Sequence, residues 1–361
     1  MQDNLKEIIR ALWSKQLPFI AYRFPGEEEA KIVVQRETAV QTFSLDKIES
    51  VNGFVIAPFI SASTNRAFLL YPNYIYNQFA SLKEIEKLPS VKLADGSKPE
   101  NKVWTKDAYL KKANDLIRDL KNNKLKKVVL SRVIEKNMAT EIDPGQMYSM
   151  MNKKFHHSFN YIFYLPRVGS WMGATPEVFF RIKGDEAETV ALAGTKHIDN
   201  INWTFKERHE QAIVTDFISY QLEQLGVANY TKSGQKTVKA GQLAHLSTKF
   251  SIPLAELESK TAKLIKRLHP TPAVCGLPQK EALEYILNNE DHDRKFYTGF
   301  LGPWGVNERT ELFVNLRCAE ISDRLIHVFV GGGFTSASNA ESEWIETIYK
   351  SETMLSVAEN F

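Results

Sequence analysis

The sequence predicts an α+β protein, with antiparallel sheets and helices packed outside them. Three observations carry this expectation. Strand-like runs arrive in groups rather than in strict alternation with helices, which argues against a doubly wound parallel sheet. The helical stretches place apolar residues three and four apart, so each has one face to bury. No period of roughly 20 to 50 residues recurs along the 361 residues, which excludes solenoids and propellers.

The elements follow in order. Residues 4–16 put Leu5, Ile8, Ile9 and Leu12 at helical spacing. Residues 54–57 and 67–70 are short apolar runs that read as strands. Residues 88–101 contain two prolines and one glycine among polar residues, the best candidate for a linker or long surface loop. A helix follows with Thr105 as its N-cap and Leu110, Ala113, Leu116, Ile117 and Leu120 as its stripe. Strand-like runs cover 127–134, 161–165, 177–182 and 189–192. A second long helix runs over 204–225, and Gly226 is placed to stop it. Strands near 312–321 and 325–330 precede a glycine-rich turn at Gly331, Gly332 and Gly333, and a last helix begins near Glu341. No internal boundary is visible in the last 250 or so residues. The whole chain, 1–361, therefore reads as one domain.

Composition narrows the class. Hydrophobic residues make up 43% and charged residues 25%, as in soluble globular proteins. Lys and Arg number 46 against 43 Asp and Glu, so the net charge is +3, too small to indicate a nucleic-acid or membrane partner. Cys275 and Cys318 are far apart and form no CxxC motif, which leaves no zinc ribbon or redox pair and fits a reducing compartment. The first residues carry no apolar signal run, and stretches such as Phe54 to Ile60 are only strand-sized. The expectation is a soluble, cytoplasmic protein.

The chemistry centres on two glutamate pairs at a spacing of three. Glu207 and Glu210 lie near the start of the 204–225 helix, and Glu343 and Glu346 near the start of the last one. At about 100° per residue that spacing puts both members of a pair on one helix face. Glu210 is also in line with Ile213, Val214 and Phe217, which should face the core, and a buried carboxylate is costly unless paired or metal-bound. Four carboxylates on two helix starts suit a hard cation such as magnesium. The plainer alternative is that glutamates favour the positive end of a helix dipole. The pairs alone do not decide between the two.

Other charged residues also carry two readings. In a strand, Lys127 shares a face with Val129 and Ser131; it reads either as an inward lysine or as an ordinary strand flank, and the flank is favoured. The basic run 121–127 lacks interleaved aromatic residues and reads as a solvated turn rather than a phosphate patch. Arg317 stands in the apolar run 314–319, where it either pairs with an acid or grips a substrate carboxylate. Gly331–Gly333 matches neither a dinucleotide fingerprint nor a P-loop. No nucleophile motif surrounds His156 and His157, and His269 before Pro270 reads as structural.

A set of segments, in order, resembles the chorismate-utilising enzymes: isochorismate, salicylate, anthranilate and aminodeoxychorismate synthases. The segments are KVVLSR (127–132), GATPE (173–177), LAGT (192–195), KERHE (206–210), HLST (245–248), HPTPAVCG (269–276), FYTGFLG (296–302), NLRCA (315–319) and GGGFTSASNAESEWIET (331–347). They cover roughly 105–358, while the first 100 residues match loosely and form a divergent N-terminal part. The resemblance implies the anthranilate synthase component I fold, two stacked, mainly antiparallel sheets with helices outside and the active site between them.

The resemblance also implies roles. Members that add water have lysine at the position of Lys127, where anthranilate synthases have glutamine. Aminodeoxychorismate synthases carry a nucleophilic lysine where this chain has Ala193. Ala273 resembles isochorismate synthases, whereas salicylate synthases tend to have threonine there; Tyr297 leans the other way. By resemblance Glu210 and Glu346 coordinate Mg2+, with Glu207 and Glu343 close by. Lys127 is the general base that activates water, and Glu177 the general acid. Arg317 and Tyr297 hold the enolpyruvyl carboxylate, Gly194, Thr195, Gly331 and Lys350 line the rest of the pocket, and His245 and Ala273 sit near the ring. The implied activity is isochorismate synthase. Salicylate synthase and a non-catalytic chorismate-binding protein are the alternatives. Water addition needs no amidotransferase partner, so a monomer is expected.

Overall fold

A computed structural model of the chain describes residues 2–91, 101–122, 125–240 and 243–359. Among these, two large sheets form, and every ladder in them is antiparallel. One sheet has nine strands, in the order Gly276–Leu277, Lys127–Asn137, Leu325–Phe334, Cys318–Ser322, Gly169–Thr175, Phe159–Leu165, Phe19–Arg23, Lys31–Val34 and Tyr74–Asn77. The other has ten and is centred on Glu186–His197, Val178–Lys183 and Glu311–Val314. The α+β class and the two antiparallel sheets expected from the sequence are both present.

Both sheets are buried on two faces. Tyr22, Phe54, Phe159, Trp171, Phe313 and Phe329, drawn from the two sheets, share one apolar cluster with no exposed member. Further clusters fill the outer faces under helices: Gln2–Ser14 and Pro144–Lys154 with one sheet, Phe205–Gln224 and Thr261–Leu268 with the other. Strands from residues 19–77 extend both sheets at one end. Most of the loop expected at 88–101 falls outside the described residues, as do positions 123 and 124 of the expected turn; the described part of 121–127 joins the helix Lys106–Lys121 to the strand Lys127–Asn137, with Lys126 exposed and Leu125 buried.

Local signals place the helices well. Thr105 caps Lys106–Lys121 by accepting a hydrogen bond from the Ala108 amide at 3.2 Å. Its buried face is led by Tyr109 with Ala113, Leu116, Ile117 and Leu120, whereas Leu110 stands half-buried beside them. Phe205–Gln224 ends before Gly226, whose φ of +66° closes it.

Two expectations are corrected. The glycines 331–333 are not a turn. They lie inside the strand Leu325–Phe334 and pair in register with Ser131, Leu130 and Val129. The apolar run 312–321 is not one strand. It divides into Glu311–Val314 in the ten-stranded sheet and Cys318–Ser322 in the nine-stranded sheet, and the chain crosses between them at Arg317, whose φ is +50°.

Candidate active site

That crossing opens onto a cleft of about 700 Å³ between the sheets. Glu177, Gly194, Thr195, Glu210, His245, Ala273, Tyr297, Arg317, Gly331, Glu346 and Lys350 all line it. Residues separated by up to 173 positions meet there because the two sheets face each other. Lys127, Glu207 and Glu343 stand behind this lining rather than in it.

Lys127 is fully buried, which overturns its reading as a strand flank. Its strand is interior: Gly276–Leu277 covers one edge and Leu325–Phe334 the other. Lys127 Nζ lies 2.8 Å from Glu210 Oε1. The angle misses hydrogen-bond geometry, so this is an ion pair with ammonium protons left over. The absence of a side chain at Gly333 makes room: a β-carbon there would collide with Glu210 Oε1 and sit 3.1 Å from Lys127 Cε.

Glu177 follows the strand Gly169–Thr175 and is buried. Burial pushes its carboxyl up to about 8, against the pull of the Lys127, Arg317 and Lys350 charges. At neutral pH it holds a proton. Arg317 is half-buried, and its buried Nη1 has no hydrogen bond from the described residues, so it is available to an anion in the cleft. His245 is also buried. Its Nδ1 lies 3.0 Å from the Gly194 carbonyl, which can only accept, so Nδ1 carries the hydrogen and the unpartnered Nε2 is an acceptor. Burial and the Arg317 charge bring this imidazole down to about 3, so it is neutral. Burial pushes the Tyr297 phenol up and keeps it a neutral donor.

The four glutamates behave differently from one another. Each has a lysine: Lys127 against Glu210 at 2.8 Å, Lys350 against Glu346 at 2.6 Å, Lys206 against Glu343 at 2.6 Å, and Lys196 against Glu207 at 2.9 Å. Glu207 also accepts from the Thr204 amide and hydroxyl at the helix start, at 2.9 and 2.6 Å. Burial alone would raise it, yet the bonds from Thr204 and Lys196 bring it to about 2. Of the four, it is the one that the helix-start alternative describes. Glu343 is the opposite case: burial, then the charge of Glu346, lifts it to about 7.

No three Asp, Glu, His or Cys side chains converge closely enough to hold a metal ion among the described residues. The donor set still fits a hard cation. Glu346 and Glu210 are near enough to raise the cost of ionising Glu343. Gly332 and Gly333 let Glu343 Oε2 and Glu210 Oε1 approach the bare backbone, where a β-carbon would displace them. The cation now among them is Lys206, whose ammonium feels Glu343, Glu346 and Glu210 together. Sequence reasoning missed Lys206 and Lys196. Lys206 stands at i,i+4 to Glu210, which points to a pair along one helix, but its partner lies 137 residues away.

Fold and site together define a two-sheet protein with a protonated acid, a buried lysine and a crowded carboxylate set around one cleft. The chain belongs to the chorismate binding enzyme family, whose profile matches residues 19–359. It is 30% identical over 242 residues to the isochorismate synthase EntC of Escherichia coli (strain K12); this stretch is 64% of the present chain and 62% of that protein. The matched region thus spans less than two thirds of that relative's length. In fold it is similar to MenF, the menaquinone-specific isochorismate synthase of Escherichia coli, with a TM-score of 0.77 at 20% identity over 97% of this chain and 91% of the other. It is also similar to anthranilate synthase component I of Streptococcus pneumoniae TIGR4, with a TM-score of 0.68 at 16% identity over 93% and 89%. The component I fold expected from the sequence is therefore present. No helix among the described residues is long and apolar enough to cross a membrane.

Proposed function

We propose that this chain is a magnesium-dependent isochorismate synthase. The observation that carries the reading is the contrast between two buried groups on one cleft: Glu177 holds a proton to about pH 8, and Lys127 stands against the Glu210 carboxylate. An acid and a base in separate environments are what hydroxyl transfer requires.

Lys127 takes a proton from water as the oxygen bonds to C2 of chorismate. The ring double bond shifts, the C4–O bond breaks, and Glu177 gives its proton to the departing hydroxyl. One water enters and one leaves, so the product is the isomer isochorismate. Arg317 and Tyr297 bind the enolpyruvyl carboxylate, Arg317 through its unpartnered Nη1. Lys350 is fixed by the Gly331 carbonyl at 2.8 Å and lies along the same wall. His245 presents its bare Nε2 near the ring. Magnesium, when held by Glu210 and Glu346 with Glu343 beside them, supplies a hard positive charge for the ring carboxylate. Glu210 is the anion against Lys127; a cation engaging Glu210 would weaken the pull that favours the ammonium, and Lys127 acts as the base once it has released that proton to solvent.

Relatives named isochorismate synthase support this reading, as does Ala193, which leaves no lysine nucleophile for the aminodeoxychorismate route. The product serves menaquinone or siderophore synthesis, and the chain works alone in the cytoplasm, without an amidotransferase. The test is incubation of the purified protein with chorismate, with and without magnesium, and chromatography of the products. Magnesium-dependent isochorismate is expected. Salicylate and pyruvate instead would make it a salicylate synthase, and bound but unchanged chorismate a binding protein.

A further inference from the structure

The strand that carries Lys127 has an incomplete outer edge. Gly276–Leu277 pairs only with Val128 and Lys127, and the Cys275 carbonyl accepts from the Val129 amide at 2.7 Å. Beyond that point no strand among the described residues continues the ladder. Two buried side chains take its place. Arg294 Nη2 donates to the Val129 carbonyl at 2.7 Å, and Glu290 Oε1 accepts from the Ser131 amide at 2.7 Å. Those are the acceptor and donor that a neighbouring strand would satisfy. The pair is locked by Arg294 Nη2 to Glu290 Oε1 at 2.6 Å and Nε to Oε2 at 2.7 Å. Neither side chain is more than 2% exposed.

The same guanidinium reaches the adjoining wall, where the chain leaves its pairing with this strand. Arg294 Nη1 donates to the Val274 carbonyl at 2.9 Å and to Thr298 Oγ1 at 3.2 Å. Val129, Val274 and Thr298 all line the cleft, Val274 adjoins Ala273, and Val129 lies two residues from Lys127. Neither Arg294 nor Glu290 lines it.

We infer that Glu290 and Arg294 are positioning residues, a side-chain clamp that sets the spacing between the Lys127 wall and the Ala273–Val274 wall and so fixes how tightly the ring of chorismate is held. The inference deepens the reading above. A planar fork making bonds to two walls at once is a task lysine cannot share, because its ammonium is a point donor on a flexible stem.

Calorimetric titration of chorismate into wild type, Arg294→Lys and Glu290→Gln tests this. Positioning predicts that the Kd rises at least about tenfold in Arg294→Lys, with near-unit stoichiometry. A merely structural role lowers the stoichiometry, as molecules unfold, and leaves the Kd of the folded ones unchanged; that result overturns the clamp. If Arg294→Lys does not fold, the isosteric Glu290→Gln decides by the same Kd, with a rise supporting the clamp and no change overturning it. The readout needs binding only. A wild type that binds chorismate but does not isomerise it would sink the isochorismate reading, and the clamp would still be judged on these constants.

Discussion

Lys127 Nζ and Glu210 Oε1 stand 2.8 Å apart at the back of the cleft, joining the second strand of the nine-stranded sheet to a helix packed on the other sheet. Lys127→Met removes the proposed base at nearly constant volume. The expected loss in kcat is about 10²- to 10⁴-fold, with chorismate still bound. Unchanged turnover would remove the base assignment.

Glu177 gives the pH dependence. As an acid it must be protonated, so kcat is expected to fall about tenfold per pH unit above its value of about 8. Stability has a definite sign as well. The folded state holds this proton more tightly than the unfolded chain, so the group's contribution is full below the ordinary carboxyl range and is lost as pH rises through about 8. Glu177→Gln should therefore gain in Tm over wild type from pH 5 to pH 8, with no further gain above. Parallel melting curves at pH 5, 7 and 9 measure it, and a constant difference would contradict it.

Gly333→Ala tests the carboxylate cradle. The new methyl would meet the end of the Glu210 side chain, which can swing away, so the fold should survive while the oxygen leaves its place. The expected result is a magnesium affinity about tenfold weaker, read from the metal-dependent rise in Tm. Lys206→Met works the other way by removing the ammonium that competes for Glu343. If both variants keep the wild-type response to magnesium, these carboxylates do not bind it.

Arg317 should not tolerate lysine. Its half-buried guanidinium, with Nη1 unpartnered, suits a two-pronged grip on a carboxylate, so Arg317→Lys is expected to weaken chorismate binding by about 10- to 100-fold. Calorimetry without metal would check it; an unchanged Kd would move the carboxylate elsewhere.

Ala273 bears on product choice, since it lines the cleft on the ring side. Ala273→Thr is expected to raise the salicylate share of product at the expense of isochorismate. Chromatography after complete conversion measures the share, and an unaltered ratio would deny this position a role in specificity.

Several misreadings of the sequence share one cause. Lys127 looks like a flank because the charge precedes an apolar run, yet the strands on both sides of it are supplied by residues 276–277 and 325–334. The three glycines look like a turn because glycine breaks strands, and here the strand tolerates them because carboxylates from two helices take up the side-chain space at Gly332 and Gly333 and the Tyr297 hydroxyl that at Gly331. Arg317 looks like a strand residue because its neighbours are apolar, but both halves of that run are apolar for the sake of different sheets.

By itself the sequence determined the α+β class, the helix starts at Thr105 and Thr204, the stop at Gly226 and many of the residues that line the cleft, Glu177, Glu210, Arg317 and Glu346 among them. Caps and apolar periodicity act within about four residues, so they can be read along the chain, and the ordered motifs carry the family. Only the tertiary structure decided which lysine answers which glutamate, that Glu177 keeps its proton, and that Glu207 serves its helix cap. Those outcomes depend on burial and on charges brought together across many tens of residues, as with Lys206 and Glu343. Sequence spacing holds no measure of that distance.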